Sequence, residues 1–225
     1  MIIPDYKTGK NHLSIQRFQE MDYLAVSSYQ LPIELMMENA GLQLATLVAN
    51  IKPEPCNVVM GVGKGNNGGG GLVAARRLAA WGYKVVLDIP DNNLKPLPRL
   101  QKERAEAFGV KEFTNEQPDI FVDTYLGFSQ RLPLADNLLD SVRKANNLNC
   151  TKISLDIPVG FDKNTGSSIF NPDIVMTLAA MKTELLKLPH NIQVYLADLG
   201  IPLAVYNQFA IEQPPFSISP LLRLR

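Results

Sequence analysis

A run of glycine and asparagine residues is the first candidate ligand-binding feature of this sequence. Seven of the eleven residues in Gly61–Gly71 are glycine. Such a run, placed between a predicted strand and a predicted helix, lets backbone amides approach a phosphate that the helix amino terminus also attracts. A flexible turn without a ligand is the alternative, but glycine clustered at a strand end favours a ligand. Within the run, Lys64 is either a phosphate contact or a solvated cation.

Two aspartates at predicted strand ends are candidates for acid, base or cation-binding roles. Asp123 lies within an apolar strand, where a carboxylate needs a cation or hydrogen-bond donors because burying it alone is costly. Asp156 ends a central strand, at the sheet edge where open α/β folds bind ligands, and we expect it beside the glycine run. Each aspartate can instead cap the turn that follows it.

The glycine run also contains a weaker pattern. Gly63–Gly68 fits the G-x-G-x-x-G fingerprint of dinucleotide-binding folds, and Asp88 ends the next predicted strand, where a dehydrogenase has its ribose-binding acid. A nicotinamide dehydrogenase is therefore one hypothesis. It ranks last because the sequence shows no evident partner for hydride transfer.

These residues must be positioned by the alternating elements that the hydrophobic pattern predicts. Strands are predicted over Asn57–Val62, Lys84–Ile89, Asp119–Leu126, Thr151–Asp156, Asp173–Leu178 and Gln193–Leu199. Helices are predicted over Ser14–Ser28, Pro32–Ile51, Leu72–Trp81, Leu97–Phe108 and Leu134–Asn146, with Ser14 as a cap, Pro32 in a first turn, and Gly82 and Gly109 as left-handed ends.

This alternation predicts the fold class. Connections of crossover length and strands that are apolar throughout are typical of a parallel sheet buried on both faces. We therefore expect a single α/β domain over residues 1–225, a three-layer α/β/α sandwich with a Rossmann-like, mostly parallel sheet and two amino-terminal helices. The tail, residues 213–225, is predicted to be an extended, partly disordered segment lying on the domain.

Composition limits the classes of partner. Lys plus Arg and Asp plus Glu both number 22, so no net charge attracts nucleic acid or an anionic membrane. The chain shows neither a secretory leader nor an apolar run of membrane-spanning length, and Cys56 and Cys150 do not suggest an oxidised scaffold. We expect a soluble protein of a reducing compartment, the cytoplasm.

Five segments in order resemble the motifs of one family. They are Leu35–Gly41 (LMMENAG), Gly65–Arg76 (GNNGGGGLVAAR), Val122–Gly127 (VDTYLG), Asp156–Gly160 (DIPVG) and Ala197–Pro202 (ADLGIP). Over about residues 14–205 the chain resembles the YjeF N-terminal domain family, the NAD(P)H-hydrate epimerases.

The resemblance implies an isomerase that interconverts the R and S epimers at C6 of hydrated NADH and NADPH (NADHX and NADPHX) for a separate dehydratase. It implies a potassium ion held by Asn67, Asp123 and Val159, and Asp156 as the acid/base that also contacts substrate. The substrate-binding residues that it implies are Asn66, Asn67, Gly68, Gly69, Gly70, Gly127, Phe128, Ser129, Gln130, Arg131, Leu132 and Pro133.

Two residues depart from the family pattern. Gly70 stands where the family has an aspartate, and Val159, where the family has a serine, offers a cation only its backbone carbonyl. These departures support an alternative, a nucleotide-binding or scaffold domain of the same fold with impaired catalysis. The resemblance also suggests a homodimer, since the apolar stripes of the two amino-terminal helices can either pair between copies or cover the sheet.

Overall fold

A parallel sheet of apolar strands organises the computed structural model, which describes residues 2–52, 56–113 and 117–225. In chain order the strands are β1 (Asp5–Tyr6), β2 (His12–Leu13), β3 (Asn57–Val62), β4 (Lys84–Asp88), β5 (Lys111–Glu112), β6 (Ile120–Thr124), β7 (Thr151–Leu155), β8 (Ile174–Leu178), β9 (Met181–Lys182), β10 (Gln193–Ala197) and β11 (Leu221–Leu224). The helices are α1 (Ile15–Tyr29), α2 (Ile33–Ile51), α3 (Asn66–Ala80), α4 (Pro96–Ala107), α5 (Asp136–Asn146) and α6 (Leu203–Gln208), with a 3₁₀ helix at Thr183–Lys187.

The order of the strands creates a switch point at β3. Within the described ranges the main sheet runs β1-β11-β10-β8-β7-β6-β3-β4-β5, and β2 pairs with β9 in a separate two-stranded ribbon. The neighbouring strands of the main sheet are parallel, except that β10 and β11 are antiparallel. The chain leaves β3 for β4 on one side and returns to β6 on the other, so a crevice opens beyond the carboxyl ends of β3 and β6.

Strand β3 shows how the two faces of the sheet are covered. Val58 and Met60 pack with residues of α2, α3 and α4 in one buried cluster, whereas Val59 packs on the opposite face with Val142 of α5. This alternation follows from the two-residue period of a strand. The predicted α/β/α sandwich with a mostly parallel sheet is therefore confirmed.

The two amino-terminal helices cover the sheet with their apolar stripes. Leu44 of α2 belongs to the cluster on β3, and Phe18 and Met21 of α1 pack against the β10 and β11 side. Ser14 caps α1 as predicted, its hydroxyl accepting from the Arg17 N–H at 3.2 Å. Pro32 is the N-cap of α2 rather than a first-turn residue, because its backbone is still extended. Among the described residues, no helix has both the length and the hydropathy to cross a bilayer.

The second half of the glycine run, from Asn66 to Gly71, is helix rather than loop, which corrects the predicted start of α3 at Leu72. Helix α3 begins at Asn66, so four glycines form its first turns. A Cβ atom on Gly68 would lie 1.9 Å from the Gly63 carbonyl oxygen, and one on Gly71 would lie 2.1 Å from Thr124 Oγ1. Glycine costs about 1 kcal/mol per helical position relative to alanine, but here it lets the helix pack directly on the strand ends.

Within the carboxyl-terminal tail, residues Leu221–Leu224 form β11, an extended segment that is part of the main sheet. Strand β11 pairs antiparallel with β10 and parallel with β1. Leu221 and Leu222 are buried there, and burial of these apolar side chains stabilises the added strand.

Candidate active site

A cavity of about 330 Å³ opens at the carboxyl ends of β3, β6 and β7, and residues of α1 and α2 also line it. It receives seven of the residues that the sequence predicted for substrate binding: Asn66, Asn67, Gly70, Gly127, Phe128, Ser129 and Asp156. The wall from α1 and α2 adds Phe18, Asp22, Met36 and Met37, which the sequence analysis did not single out.

Asp156 is buried at the end of β7 and held by two contacts. Its Oδ1 forms an ion pair with Lys182 Nζ at 2.9 Å, and its Oδ2 accepts from the Phe128 N–H at 3.0 Å. Its backbone is left-handed, with φ of 68°, a conformation that costs free energy for a residue other than glycine. Strain of this kind clusters at functional sites.

Lys182 is the charged partner that the sequence analysis missed. Its ammonium group is fully buried, donates to the Leu178 carbonyl at 2.7 Å, and lies 3.6 Å from the centre of the Phe18 ring. Burial lowers the pKa of Lys182, and the neighbouring Asp156 carboxylate opposes that shift. The signal was available in the sequence, because a lysine after the apolar run Leu178–Met181 is expensive to bury without a partner.

Asp22 is a second carboxyl group in the same cavity. It is half-buried on α1, one helical turn after Phe18. Burial raises the pKa of Asp22, Lys182 lowers it, and Asp156 raises it further. Asp22 therefore lies in the electrostatic field of the Asp156–Lys182 pair.

Asn67, at the start of α3, bridges the ends of two strands. Its Nδ2 donates to the Leu126 carbonyl at 3.0 Å and to the Leu155 carbonyl at 3.3 Å. The backbone of Gly127 packs against this arrangement, since a Cβ there would lie 3.1 Å from Asp156 Oδ2 and 3.3 Å from Asn67 Oδ1. The three residues therefore form one wall of the cavity.

Asp123 is fully buried behind this wall and does not line the cavity. Its Oδ2 accepts from Ser154 Oγ at 2.8 Å and the Val159 N–H at 3.1 Å, and its Oδ1 accepts from the Tyr125 N–H at 3.1 Å. Burial raises the pKa of Asp123 to about 7, although these three donors oppose the shift. In the described part of the chain, no lysine or arginine forms an ion pair with it.

The predicted potassium ligands can be tested for fit by the chemistry of their atoms. Asn67, Asp123 and Val159 offer amide, carboxylate and carbonyl oxygens, which hard cations prefer. A carboxylate has about four lone-pair sites, and three are used at Asp123. The Val159 carbonyl accepts one hydrogen bond, from the Phe170 N–H at 3.0 Å, and keeps a second lone pair. The donor atoms of these residues are therefore of the kind that a hard cation such as potassium prefers.

Six predicted binding residues lie away from the cavity lining. Gly68 and Gly69 face Gly63 and Met37 inside the helix packing. Gln130 ties its loop to the turn after β7, because Oε1 accepts from the Gly160 N–H at 2.7 Å and Nε2 donates to the Pro158 carbonyl at 3.1 Å. The remaining three, Arg131, Leu132 and Pro133, are exposed.

The cavity has two lysines and the amino terminus of α3 in its lining, and Lys64 Nζ lies 3.8 Å from Asp91 Oδ2. Lys64 and Lys95 both line it, and the Lys95 N–H donates to the Lys64 carbonyl at 3.0 Å. Gly65 caps α3 without a side chain, so the first amides of the helix remain available to an anion. Asp88, the ribose acid of the dehydrogenase hypothesis, is hydrogen-bonded to the Tyr125 hydroxyl instead.

Comparisons with known proteins agree with this geometry. A sequence model described as YjeF-related protein N-terminus matches residues 33–184, more than half of the chain. A protein of Rhodopirellula baltica named NAD(P)H-hydrate epimerase is 34% identical over 216 residues, which cover 88% of this chain and 88% of that protein. One of Dehalogenimonas lykanthroporepellens with the same name is 34% identical over 226 residues, covering 94% of this chain and 92% of the other.

The fold has a solved counterpart. The crystal structure of the yeast protein ynu0 superposes with a TM-score of 0.85 at 23% identity, covering 95% of this chain and 99% of the yeast chain. At that identity the superposition supports the architecture alone. Family membership is established by the sequence model and the two 34% identical relatives: the chain belongs to the YjeF N-terminal domain family.

Proposed function

We propose that this protein is an NAD(P)H-hydrate epimerase, an isomerase that interconverts the R and S epimers of NADHX and NADPHX. The names of its relatives support this activity. The single observation that carries it is the buried Asp156–Lys182 ion pair, whose carboxylate lines a cavity that two further lysines, Lys64 and Lys95, also line. A separate dehydratase would then consume one epimer.

The cavity suggests how the substrate lies. The phosphates would meet the amino terminus of α3 and the ammonium groups of Lys64 and Lys95, because both favour anions. The hydrated nicotinamide ring would then enter toward Asp156, past the apolar side chains of Met36 and Met37. Apolar walls with few polar groups at defined positions are typical of small-molecule sites.

The chemistry requires a carboxylate near C6. When the C6 hydroxyl leaves, the ring nitrogen supplies its lone pair and an iminium cation forms. Asp156, ionised in its pair with Lys182, would stabilise that cation and accept a proton from the water that returns. The Phe128 N–H and the Lys182 ammonium hold the carboxylate in place, so little reorganisation is needed during the reaction.

The test is the equilibration of separated R and S NADPHX by the purified protein. Asp156→Asn should lower the rate by about 100-fold or more, the usual contribution of an acid/base group. Asn is the informative replacement because it also tolerates left-handed backbone. Asp140→Asn, an exposed carboxylate on α5, is the matched control and should keep the wild-type rate. Equal rates with and without the wild-type protein would contradict the proposal.

Potassium belongs to the same proposal. A potassium ion held by Asn67 Oδ1, Asp123 and the Val159 carbonyl would supply the positive partner charge that the buried Asp123 carboxylate lacks. Such an ion would contribute positive charge behind the wall that faces the substrate.

The potassium site predicts a salt-specific stabilisation. The wild-type melting temperature should be higher in potassium chloride than in choline chloride at the same concentration, because an ion that binds the native state stabilises it. Asp123→Asn should remove this difference, and Asp140→Asn should keep it. Equal melting temperatures of the wild type in both salts would argue against the site.

A nucleotide-binding domain without turnover is the second candidate, and Gly70 favours it. A Cβ on Gly70 would lie 3.3 Å from Leu155 Cδ2, so the aspartate of the family pattern would require a small shift of Leu155. Binding of NADPHX without epimerisation, together with activity gained by Gly70→Asp, would establish this candidate.

A further inference from the structure

Epimerisation at C6 makes demands on both faces of the ring, a point that rests on the proposed function. The hydroxyl leaves from one face and water returns to the other. One group must therefore give a proton to the departing oxygen, and another must take a proton from the incoming water. Asp156, ionised beside Lys182 on the wall formed by β7, is suited to the second role in one direction of the reaction. The first role needs another group.

We infer that Asp22 is a second catalytic acid/base residue, which acts from the α1 wall of the cavity on the ring face opposite Asp156. Asp22 and Asp156 line the same cavity but belong to different elements, helix α1 and the turn after β7. The preceding turn of α1 places Phe18 over the Lys182 ammonium, so this face of the helix is turned toward the ion pair. Asp22 lies one helical turn after Phe18 on the same face of α1.

The carboxyl group of Asp22 is free for a ligand. Among the residues that the structure describes, its side chain forms neither a hydrogen bond nor an ion pair, whereas Glu20 on the same helix is exposed and lies 3.9 Å from Arg17. The charged groups acting on Asp22 are Lys182 of β9 and Asp156 at the end of β7. Burial raises the pKa of Asp22, which favours the protonated form that a proton donor needs.

The steps balance. Protonated Asp22 gives its proton to the C6 hydroxyl, the C6–O bond breaks and releases water, and the ring nitrogen lone pair forms the C6=N1 iminium bond. A water molecule then adds to C6 from the opposite face as the N1 lone pair is restored, and its proton passes to the Asp156 carboxylate. The substrate has been inverted, and one proton has moved from Asp22 to Asp156. The reverse reaction exchanges the two roles.

The decisive variants are Asp22→Asn and Asp22→Glu in the full chain. Asp22→Asn should lower the rate of R-to-S and S-to-R conversion by about 100-fold, while the dissociation constant for NADPHX stays within about threefold of wild type. Asp22→Glu keeps a carboxyl group and should recover part of the rate. Glu20→Gln is the matched control on α1 and should leave the rate unchanged.

The pH profile separates a catalytic role from a structural one. For conversion in the direction that uses protonated Asp22, the wild-type rate should fall as pH rises and the group loses its proton, and this limb should be absent in Asp22→Asn. A rate within threefold of wild type in Asp22→Asn, or a loss explained entirely by weaker binding, would overturn the inference while leaving the proposed function intact. An inactive wild type that still binds NADPHX would overturn both.

Discussion

Two buried carboxylates at the ends of neighbouring strands have opposite surroundings. Asp123 at the end of β6 accepts from three neutral donors, which belong to the residue after β6, to β7 and to the turn after β7. Asp156, just beyond β7, is paired with a buried ammonium group and lines the cavity. A strand-end aspartate in a parallel sheet can thus lie behind the cavity wall or within it, and among the described residues only the aspartate in the wall has a lysine partner.

The same contrast extends to the glycines around each aspartate. Gly71 allows α3 to pack on Thr124 at the end of β6, whereas Gly127 packs on Asp156 and Asn67 at the cavity wall. Substitutions at the β6 end should therefore affect mainly the free energy of unfolding. Substitutions at the β7 end should affect mainly the epimerisation rate. Loss of the Asp156–Lys182 ion pair is the exception, since it should affect both the rate and the free energy of unfolding.

Loss of the ammonium group should have the largest effect. Lys182→Met leaves Asp156 as an uncompensated buried charge, so the free energy of unfolding should fall by about 3–5 kcal/mol in urea titrations. The double variant Lys182→Met with Asp156→Asn should be more stable than Lys182→Met alone, since no buried charge remains. Lys102→Met, which removes a partly exposed ion-pair partner, should cost at most about 1 kcal/mol. If Lys182→Met lowered the free energy of unfolding by less than about 1 kcal/mol, the result would contradict the burial of the pair.

Overpacking the β6 end comes next. Gly71→Ala places a methyl group against Thr124, whose hydroxyl is fixed by its bond to the Gly61 carbonyl at 2.7 Å. The expected loss is about 1–3 kcal/mol in the free energy of unfolding. Gly65→Ala is the control because nothing lies within 4 Å of the added atom. Equal stabilities of the two variants would show that α3 can move away from β6.

The smallest change in stability is expected at the cavity wall. Gly127→Ala requires Asp156 and Asn67 to shift by a few tenths of an ångström, so the free energy of unfolding should change by less than about 1 kcal/mol. The epimerisation rate should nevertheless fall about tenfold, because small displacements of a catalytic group are costly. A stability loss as large as that of Gly71→Ala, with an unchanged rate, would erase the contrast between the two strand ends.

Local pattern predicted the elements whose signals are local. Strand β3 has the predicted bounds because it is apolar throughout, and the place of Asp156 followed from the position of such strands in a parallel sheet. The helical glycines were predicted as a loop because their intrinsic cost is visible in the sequence, whereas the close approach of Thr124 that requires glycine at position 71 comes from a distant segment.

In the charged part of the site, the sequence indicates that Lys182 needs a partner but does not indicate which residue supplies it. Lys182 forms its ion pair with Asp156, and Asp22 interacts electrostatically with both. Asp156 is separated from each of them in sequence and approaches them only after folding. Strand β11 is a similar case, since its partners β1 and β10 come from separate parts of the chain. Pairing between remote segments leaves no periodicity for sequence analysis to detect.

The left-handed backbone of Asp156 determines what this position can tolerate in a saturation library. Its φ of 68° admits glycine readily and asparagine or aspartate at modest cost, and it penalises β-branched and bulky residues. Lys182 then selects among these three, because a neutral residue leaves its ammonium unpaired. Backbone geometry and charge thus restrict position 156 independently, and aspartate alone satisfies both restrictions.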